Sequence, residues 1–208
     1  MIKAVLFDID GVLVDSFEAN LKFYQDLLSK AGYPPPTRES FSKLFHLTMF
    51  DVIKTIIKST SDTEIQRIWE MGNRRDVRYP LELLSAPTNF EKTLLKLHKT
   101  YLLGIVTSRI KNGVFEIPEL ATLQHIFSSV VTYEDTLNHK PHPEPLLLAI
   151  HELGIHPENA VYVGDLESDI QAAKAANMKI IMYSKHIFFN ADICTPSFKD
   201  LPTLIATL

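Results

Sequence analysis

Near the N-terminus an apolar run stops at two closely spaced carboxylates, in the residues Ile2-Lys3-Ala4-Val5-Leu6-Phe7-Asp8-Ile9-Asp10-Gly11. A continuous apolar run of this length is typical of a strand buried on both faces, as in a parallel sheet covered by helices. Ligands of such sheets bind beyond the carboxyl ends of the strands. Asp8 and Asp10 are therefore predicted to lie where an α/β protein does its chemistry.

The two carboxylates have two interpretations. Their spacing lets both side chains reach one volume, where they repel each other unless a cation lies between them or one is protonated. Asp and Gly are also good turn formers, so the stretch from Asp8 to Gly11 is compatible with an ordinary turn after a strand. Residues elsewhere in the chain are needed to distinguish a functional site from an ordinary turn.

Composition limits the classes of protein that the chain can belong to. The 208 residues have a net charge of -4, and 46% of them are hydrophobic and 22% charged. These values are ordinary for a globular protein with one large domain or two small ones. Since the sequence lacks a basic footprint, we expect no nucleic acid partner.

Cysteine usage and hydropathy indicate a compartment. Cys194 is the single cysteine, which excludes an internal disulfide and fits a reducing compartment. No run approaches the roughly 18 apolar residues of a membrane span. Asp8 and Asp10 interrupt the apolar stretch near the N-terminus, so we predict no signal peptide. We expect a cytoplasmic protein with no membrane partner.

Strand patterns and helix patterns are separated along the chain. Residues 15–81 contain only helical patterns, whereas strands and helices alternate from residue 82 onwards. This arrangement predicts an α/β protein with a doubly wound parallel sheet and an inserted all-helical cap. The predicted core is Rossmann-like and comprises residues 1–14 and 82–208, and the predicted cap comprises residues 15–81.

Further polar residues stand at predicted strand ends or in the loops that follow them. They are Thr107, Lys140, Asp165 and Asp169, the last at the start of a predicted helix over residues 169–177. With Asp8 and Asp10 they form a set on the carboxyl edge of one sheet. Because polar residues recur at several predicted strand ends, a functional site is favoured over an ordinary turn for the stretch from Asp8 to Gly11.

The set suits phosphoryl transfer to and from a carboxylate. Oxygen ligands from Asp8, Asp165 and Asp169 favour Mg²⁺, which screens the repulsion between an anionic nucleophile and an anionic phosphate. Lys140 adds a second positive charge, and the Thr107 hydroxyl can donate to a phosphoryl oxygen.

The acidic residues of the set suit two chemical roles. A carboxylate is the predicted nucleophile, because an aspartyl-phosphate divides one hard step into two easier ones. Asp10 is predicted to protonate the leaving oxygen and then to take a proton from the attacking water.

These motifs resemble those of the haloacid dehalogenase superfamily, in its branch with a small helical cap. The resemblance covers nearly the whole chain and rests on Asp8-Ile9-Asp10-Gly11, Thr107-Ser108, Lys140-Pro141 and Gly164-Asp165-x-x-x-Asp169. Phosphoglycolate phosphatases, sugar-phosphate phosphatases and hexose-phosphate mutases of this branch look similar.

The resemblance implies a set of site residues. Mg²⁺ would be held by Asp8, by the backbone carbonyl of Asp10 and by Asp165. Asp169 would either support the metal or orient Lys140. The implied catalytic residues are Asp8 as nucleophile, Asp10 as acid/base, and Thr107 and Lys140.

Substrate binding is assigned to Thr107, Ser108 and Lys140, with two further candidates. His46 either reaches a substrate from the predicted cap or is a polar residue of a connecting loop. Arg109 either helps to attract an anion or is an ordinary loop arginine.

The leading hypothesis is a Mg²⁺-dependent phosphatase that hydrolyses a small phosphomonoester of the phosphoglycolate or sugar-phosphate type. One alternative is a phosphomutase of the beta-phosphoglucomutase type, and another is a non-catalytic phosphate-sensing module on the same scaffold. The expected partner is a small phosphorylated metabolite, and both monomer and homodimer stay open.

Overall fold

The chain folds as two units. The computed structural model describes residues 1–45 and 47–208. One unit consists of Met1–Asp15 together with Ala86–Leu208, and the other of Ser16–Ser85. The predicted boundaries differ from these by a few residues, and the interpretation of the units as catalytic core and cap stays a prediction.

The unit Ser16–Ser85 is built from helices in its described part. They are α1 (Phe17–Lys30), α2 (Arg38–Ser42), α3 (Met49–Ile57) and α4 (Asp62–Asn73). The side chain of Thr48 accepts the N–H of Asp51 at the start of α3, and that of Ser61 accepts the N–H of Glu64 at the start of α4. The apolar stripes of the helices meet in one buried cluster that includes Leu28, Phe41, Ile53 and Ile68.

The other unit contains a six-stranded parallel sheet. Its strands are β1 (Ala4–Phe7), β2 (Leu102–Val106), β3 (Phe127–Val131), β4 (Ala160–Gly164), β5 (Lys179–Tyr183) and β6 (Ile193–Thr195). Their spatial order is β3-β2-β1-β4-β5-β6. All neighbouring pairs are parallel.

Helices cover both faces of this sheet. They are α5 (Phe90–His98), α6 (Pro118–Leu123), α7 (Glu144–Leu153), α8 (Glu167–Ala175) and α9 (Leu201–Ile205). On one face, α7 and α8 pack against strand residues that include Leu6 and Tyr162. On the other face, the ring of Phe198 lies 6.3 Å from that of Phe7 and 5.9 Å from that of Phe90, measured between centroids. The predicted doubly wound parallel sheet with a helical insertion is confirmed.

Two helices differ from the sequence prediction. Helix α8 begins at Glu167, ahead of the predicted start at Asp169. The reason is that the Asp169 carboxylate accepts the N–H groups of Asp165 and Leu166, which ties the first turn to the chain before it. Helix α6 was not predicted from the sequence. No helix in the described ranges is long and apolar enough to cross a membrane.

Candidate active site

The candidate site lies at the carboxyl edge of the sheet. Phe7, the last residue of β1, is in register with Ile105 of β2 and Val163 of β4. The N–H of Asp8 continues this ladder and donates to the carbonyl of Val163 at 3.0 Å. The residues that follow β1, β2 and β4 therefore meet at one edge, as predicted for parallel strands.

Asp8 is buried at this edge, with its two oxygens held differently. Oδ1 accepts the N–H of Ile9 at 2.7 Å. Oδ2 lies 2.8 Å from Nζ of Lys140. Burial, opposed by Lys140 and reinforced by Asp169 and Asp10, raises the pKa of Asp8 to about 6. An ionised Asp8 thus depends on the positive charge beside it.

Lys140 has an acceptor for each of its three N–H bonds. Besides Asp8, Nζ lies 2.8 Å from Oδ1 of Asp169 and 2.8 Å from the hydroxyl oxygen of Tyr162. Burial alone would lower the pKa of Lys140, but Asp169 and Asp8 raise it well above its usual range. The ammonium is therefore a fixed positive charge in contact with Asp8.

Asp169 is fully buried, and both of its oxygens are engaged. Oδ1 accepts from Lys140, and Oδ2 accepts the N–H groups of Asp165 and Leu166, each at 3.0 Å. These contacts favour the role of orienting Lys140 over that of a metal ligand. That role stays a prediction.

Asp165 carries a buried oxygen with an unused acceptor. Within residues 1–45 and 47–208, its Oδ1 has no hydrogen-bond partner. Ligand atoms of Asp8, Asp165 and Asp169 lie within 4.8 Å of one another. Burial first, and then Asp169 and Asp8, raise the pKa of Asp165 to about 9. A cation would relieve this repulsion, and hard carboxylate oxygens fit Mg²⁺.

Asp10 is paired with Arg109. Nε of Arg109 donates to Oδ2 of Asp10 at 2.8 Å, and Nη2 donates to Oδ1 at 2.7 Å. The side chain of Arg109 is 10% exposed, and that of Asp10 is 24% exposed. Arg109 thus forms a fork-like contact with the predicted acid/base, and its role toward a substrate stays a prediction.

The remaining predicted residues lie along the same edge or outside the described ranges. Thr107 is buried, and its Oγ1 accepts the N–H of Arg109 at 3.2 Å. Ser108, the next residue, is partly exposed. His46 lies outside the described residues, so its role stays a prediction.

Tyr162 is a part of this site that was not predicted from the sequence. Its ring is fully buried in β4, and its hydroxyl donates to the carbonyl of Val106 at 3.0 Å while accepting from Lys140. The signal was present in Ala160-Val161-Tyr162-Val163, because a buried tyrosine hydroxyl in an apolar strand needs a polar partner. The identity of that partner was not readable from the strand.

Comparison with known proteins gives the family. Residues 5–183 match the family described as Haloacid dehalogenase-like hydrolase, and the chain belongs to it. Phosphoglycolate phosphatase of Salmonella paratyphi A is 32% identical, over 96% of this chain and 91% of the relative. Pyrophosphatase PpaX of Oceanobacillus iheyensis is 29% identical, over 98% of this chain and 97% of the relative.

A solved structure supports the same assignment. It is a haloacid dehalogenase superfamily hydrolase of subfamily IA from Geobacter sulfurreducens, with a TM-score of 0.72 and 30% identity. The match covers 98% of this chain and 96% of that one. The predicted family and the predicted enzyme class, a haloacid dehalogenase-like phosphatase, are confirmed.

Proposed function

We propose that this chain is a Mg²⁺-dependent phosphatase that hydrolyses a small phosphomonoester through an aspartyl-phosphate on Asp8. One observation carries the proposal. Asp8 contacts Lys140, and carboxylate oxygens of Asp8 and Asp165 lie within 4.8 Å of each other. The buried Oδ1 of Asp165 lacks a hydrogen-bond partner in the described part of the chain. A nucleophile, a fixed positive charge and a cation site together suit attack on an anionic phosphate.

Asp8 is the nucleophile of this proposal. The N–H of Ile9 donates a hydrogen bond to Oδ1, while Oδ2 contacts Nζ of Lys140. In the first half of the reaction a carboxylate oxygen of Asp8 bonds to phosphorus as the ester P–O bond breaks. The Lys140 ammonium stabilises the negative charge that gathers on the transferred phosphoryl group.

Asp10 is the acid/base. Its carboxyl group gives a proton to the ester oxygen that leaves, and the resulting carboxylate takes a proton from the water that attacks the aspartyl-phosphate. Breaking the bond between phosphorus and Asp8 then restores the free carboxylate. Thr107 and Ser108, directly after β2, are proposed to donate hydrogen bonds to phosphoryl oxygens.

Mg²⁺ would be held by Asp8, Asp165 and the backbone carbonyl of Asp10. When bound, it supplies positive charge that screens the repulsion between carboxylate and phosphate. The fit rests on the partnerless Asp165 oxygen and on the hard oxygen donors of the group.

The substrate class is a small phosphorylated metabolite of the phosphoglycolate or sugar-phosphate type. The support is the likeness to a phosphoglycolate phosphatase over nearly the full length of both chains. The likeness to a pyrophosphatase makes inorganic pyrophosphate a necessary member of any substrate panel. The cytoplasmic location stays a prediction, as do the lack of nucleic acid and membrane partners and the oligomeric state.

The test is release of phosphate from phosphoglycolate, sugar phosphates and pyrophosphate, with and without Mg²⁺. Asp8→Asn keeps the size of the side chain and removes the nucleophile, so turnover should fall by on the order of 10³-fold or more. Asp200→Asn, at an exposed position of the same unit, is the control and should keep full activity.

Each outcome separates the candidates. Mg²⁺-dependent release that disappears in Asp8→Asn, with a trapped phosphoenzyme in the parent protein, supports the proposal. Release that survives in Asp8→Asn overturns it. Formation of a sugar bisphosphate in place of free phosphate identifies a phosphomutase, and Mg²⁺ binding without any turnover identifies a phosphate-binding module.

A further inference from the structure

We propose that Arg109 is a positioning residue that holds the acid/base carboxylate of Asp10 in its working orientation. This inference rests on the proposed function and assigns Arg109 a role in the same reaction. The two residues are 99 positions apart in the sequence, and the fold brings them into a contact in which both oxygens of Asp10 take part.

The guanidinium is itself held in place. Nη1 of Arg109 donates to the carbonyl of Gly113 at 3.4 Å, so that its three nitrogens all contact acceptors. The main chain is fixed as well, because the N–H of Arg109 donates to Oγ1 of Thr107 and its carbonyl accepts the N–H of Tyr133 at 2.9 Å. Arg109 is thus anchored to the ends of β2 and β3.

Asp10 needs such a support for an electrostatic reason. Burial and Asp169 raise the pKa values of Asp8 and Asp165 most, and Asp10 adds to both shifts, so its carboxylate repels theirs. Two parallel hydrogen bonds to a planar guanidinium fix both oxygens at once and oppose rotation of the Asp10 carboxylate.

The proposed positioning role involves no change at Arg109 itself. In the proposed reaction the Asp10 carboxyl gives a proton to the ester oxygen when the P–O bond breaks, and the resulting carboxylate takes the proton of the attacking water when the aspartyl-phosphate is hydrolysed. Arg109 takes no proton in either half and needs no contact with the phosphate.

A charge that merely attracts anionic substrates is the competing role. Lys111 tests it, because it is an exposed cation two residues away that has no place in the proposed machinery. General attraction predicts that Arg109→Met and Lys111→Met raise KM alike. A positioning role predicts that Arg109→Met lowers kcat, whereas Lys111→Met leaves the kinetics unchanged.

The decisive readout is the dependence on the leaving group. An alkyl phosphomonoester needs a proton on its leaving oxygen, whereas dinitrophenyl phosphate does not. We expect Arg109→Met to lower kcat/KM by about 10–100-fold for the alkyl ester and by less than about 3-fold for the dinitrophenyl ester. Arg109→Lys should recover only part of the loss, because the ammonium keeps the positive charge but cannot hold both oxygens of Asp10.

A double-mutant cycle with Asp10 completes the test. If Arg109 acts through Asp10, adding Arg109→Met to Asp10→Asn should change kcat/KM by no more than about 2-fold. Thermal unfolding of each variant checks the fold, and Arg109→Lys serves if Arg109→Met does not fold.

Two kinds of failure can be told apart in the same assay. Equal losses for both esters, or an undiminished loss in the Asp10→Asn background, overturn the role of Arg109 while the Asp8→Asn result leaves the phosphatase mechanism standing. Turnover that persists in Asp8→Asn overturns the proposed function and this inference with it.

Discussion

Gly11 is the residue at which the turn after β1 contacts Asp165, a ligand of the proposed Mg²⁺ site. Its φ of +79° lies in the region that favours glycine, and a Cβ built there would lie 2.1 Å from Oδ2 of Asp165. The backbone after β1 therefore packs directly on the carboxylate after β4. No other residue type meets both demands, since a side chain would strain the backbone and displace Asp165.

Gly11→Ala should weaken Mg²⁺ binding as well as stability. Gly154, at the end of α7, has a φ of +65° with open space around it, so Gly154→Ala carries the backbone cost alone. We expect Gly154→Ala to lower the free energy of unfolding by about 1 kcal/mol and to leave the Mg²⁺ affinity unchanged. Gly11→Ala should lower the free energy of unfolding by more than this, and should also lower the Mg²⁺ affinity. Thermal unfolding and Mg²⁺ titration measure the two effects. Equal behaviour of the two variants would contradict the contact with Asp165.

At the scale of elements, the connection from β4 to α8 organises the acidic group. Gly164 ends β4 so closely against Asp169 that an added Cβ would lie 2.4 Å from the Cβ of that residue. The first turn of α8 is also the end of a helix that favours negative charge. Asp169 can therefore stay buried and accept from both the backbone and Lys140.

Asp169→Asn should break this connection. The amide has one acceptor oxygen where the carboxylate has two, so it cannot accept from the two N–H groups and Lys140 together. We expect a loss of about 3 kcal/mol in the free energy of unfolding and of at least about 10-fold in kcat. Glu167→Gln makes the same change of charge at an exposed position of the same turn and should have neither effect. A variant Asp169→Asn as stable and active as the parent would rule out this role.

Strand ends were the most predictable elements. Apolar runs that stop at Asp8, Thr107 and Asp165 identify parallel strands and place these residues at one edge, because the carboxyl ends of such strands coincide. The start of α8 was misplaced, since the hydrogen bonds of Asp169 to the chain before it are invisible in a helical pattern. The pairing of Arg109 with Asp10, and of Tyr162 with Lys140, depends on contacts between distant segments that no local pattern contains.

At the scale of the whole molecule, the site concentrates negative charge that the protein alone does not balance. Near neutral pH the acidic group relies on Lys140 and on partial protonation, since the pKa of Asp165 is raised to about 9 and that of Asp8 to about 6. Both values lie above the ordinary value of about 3.9. The contribution of these groups to stability is therefore complete below pH about 4 and is lost as pH rises through each raised pKa.

Mg²⁺ should reverse this trend, because it binds the deprotonated carboxylates. We expect the increase in unfolding temperature caused by Mg²⁺ to grow between pH 6 and about 9, and Mg²⁺ binding at pH 7 to release protons. Thermal unfolding across this range, with calorimetry in buffers of different ionisation enthalpy, measures both. In Asp165→Asn the pH dependence of the Mg²⁺ effect should shrink. A Mg²⁺ effect that is constant with pH would contradict the proposed ligands.

The central position of β1 also fixes the order in which the protein can assemble during synthesis. β1, which Asp8 follows directly, is synthesised before both of its neighbours in the sheet, β2 and β4. The helical unit Ser16–Ser85 is contiguous, so all its internal contacts are available before either neighbour has been made. A nascent chain therefore carries the proposed nucleophile unassembled until residues 160–169 emerge, and the proposed site is complete only after the helical unit and four strands of the sheet have been synthesised.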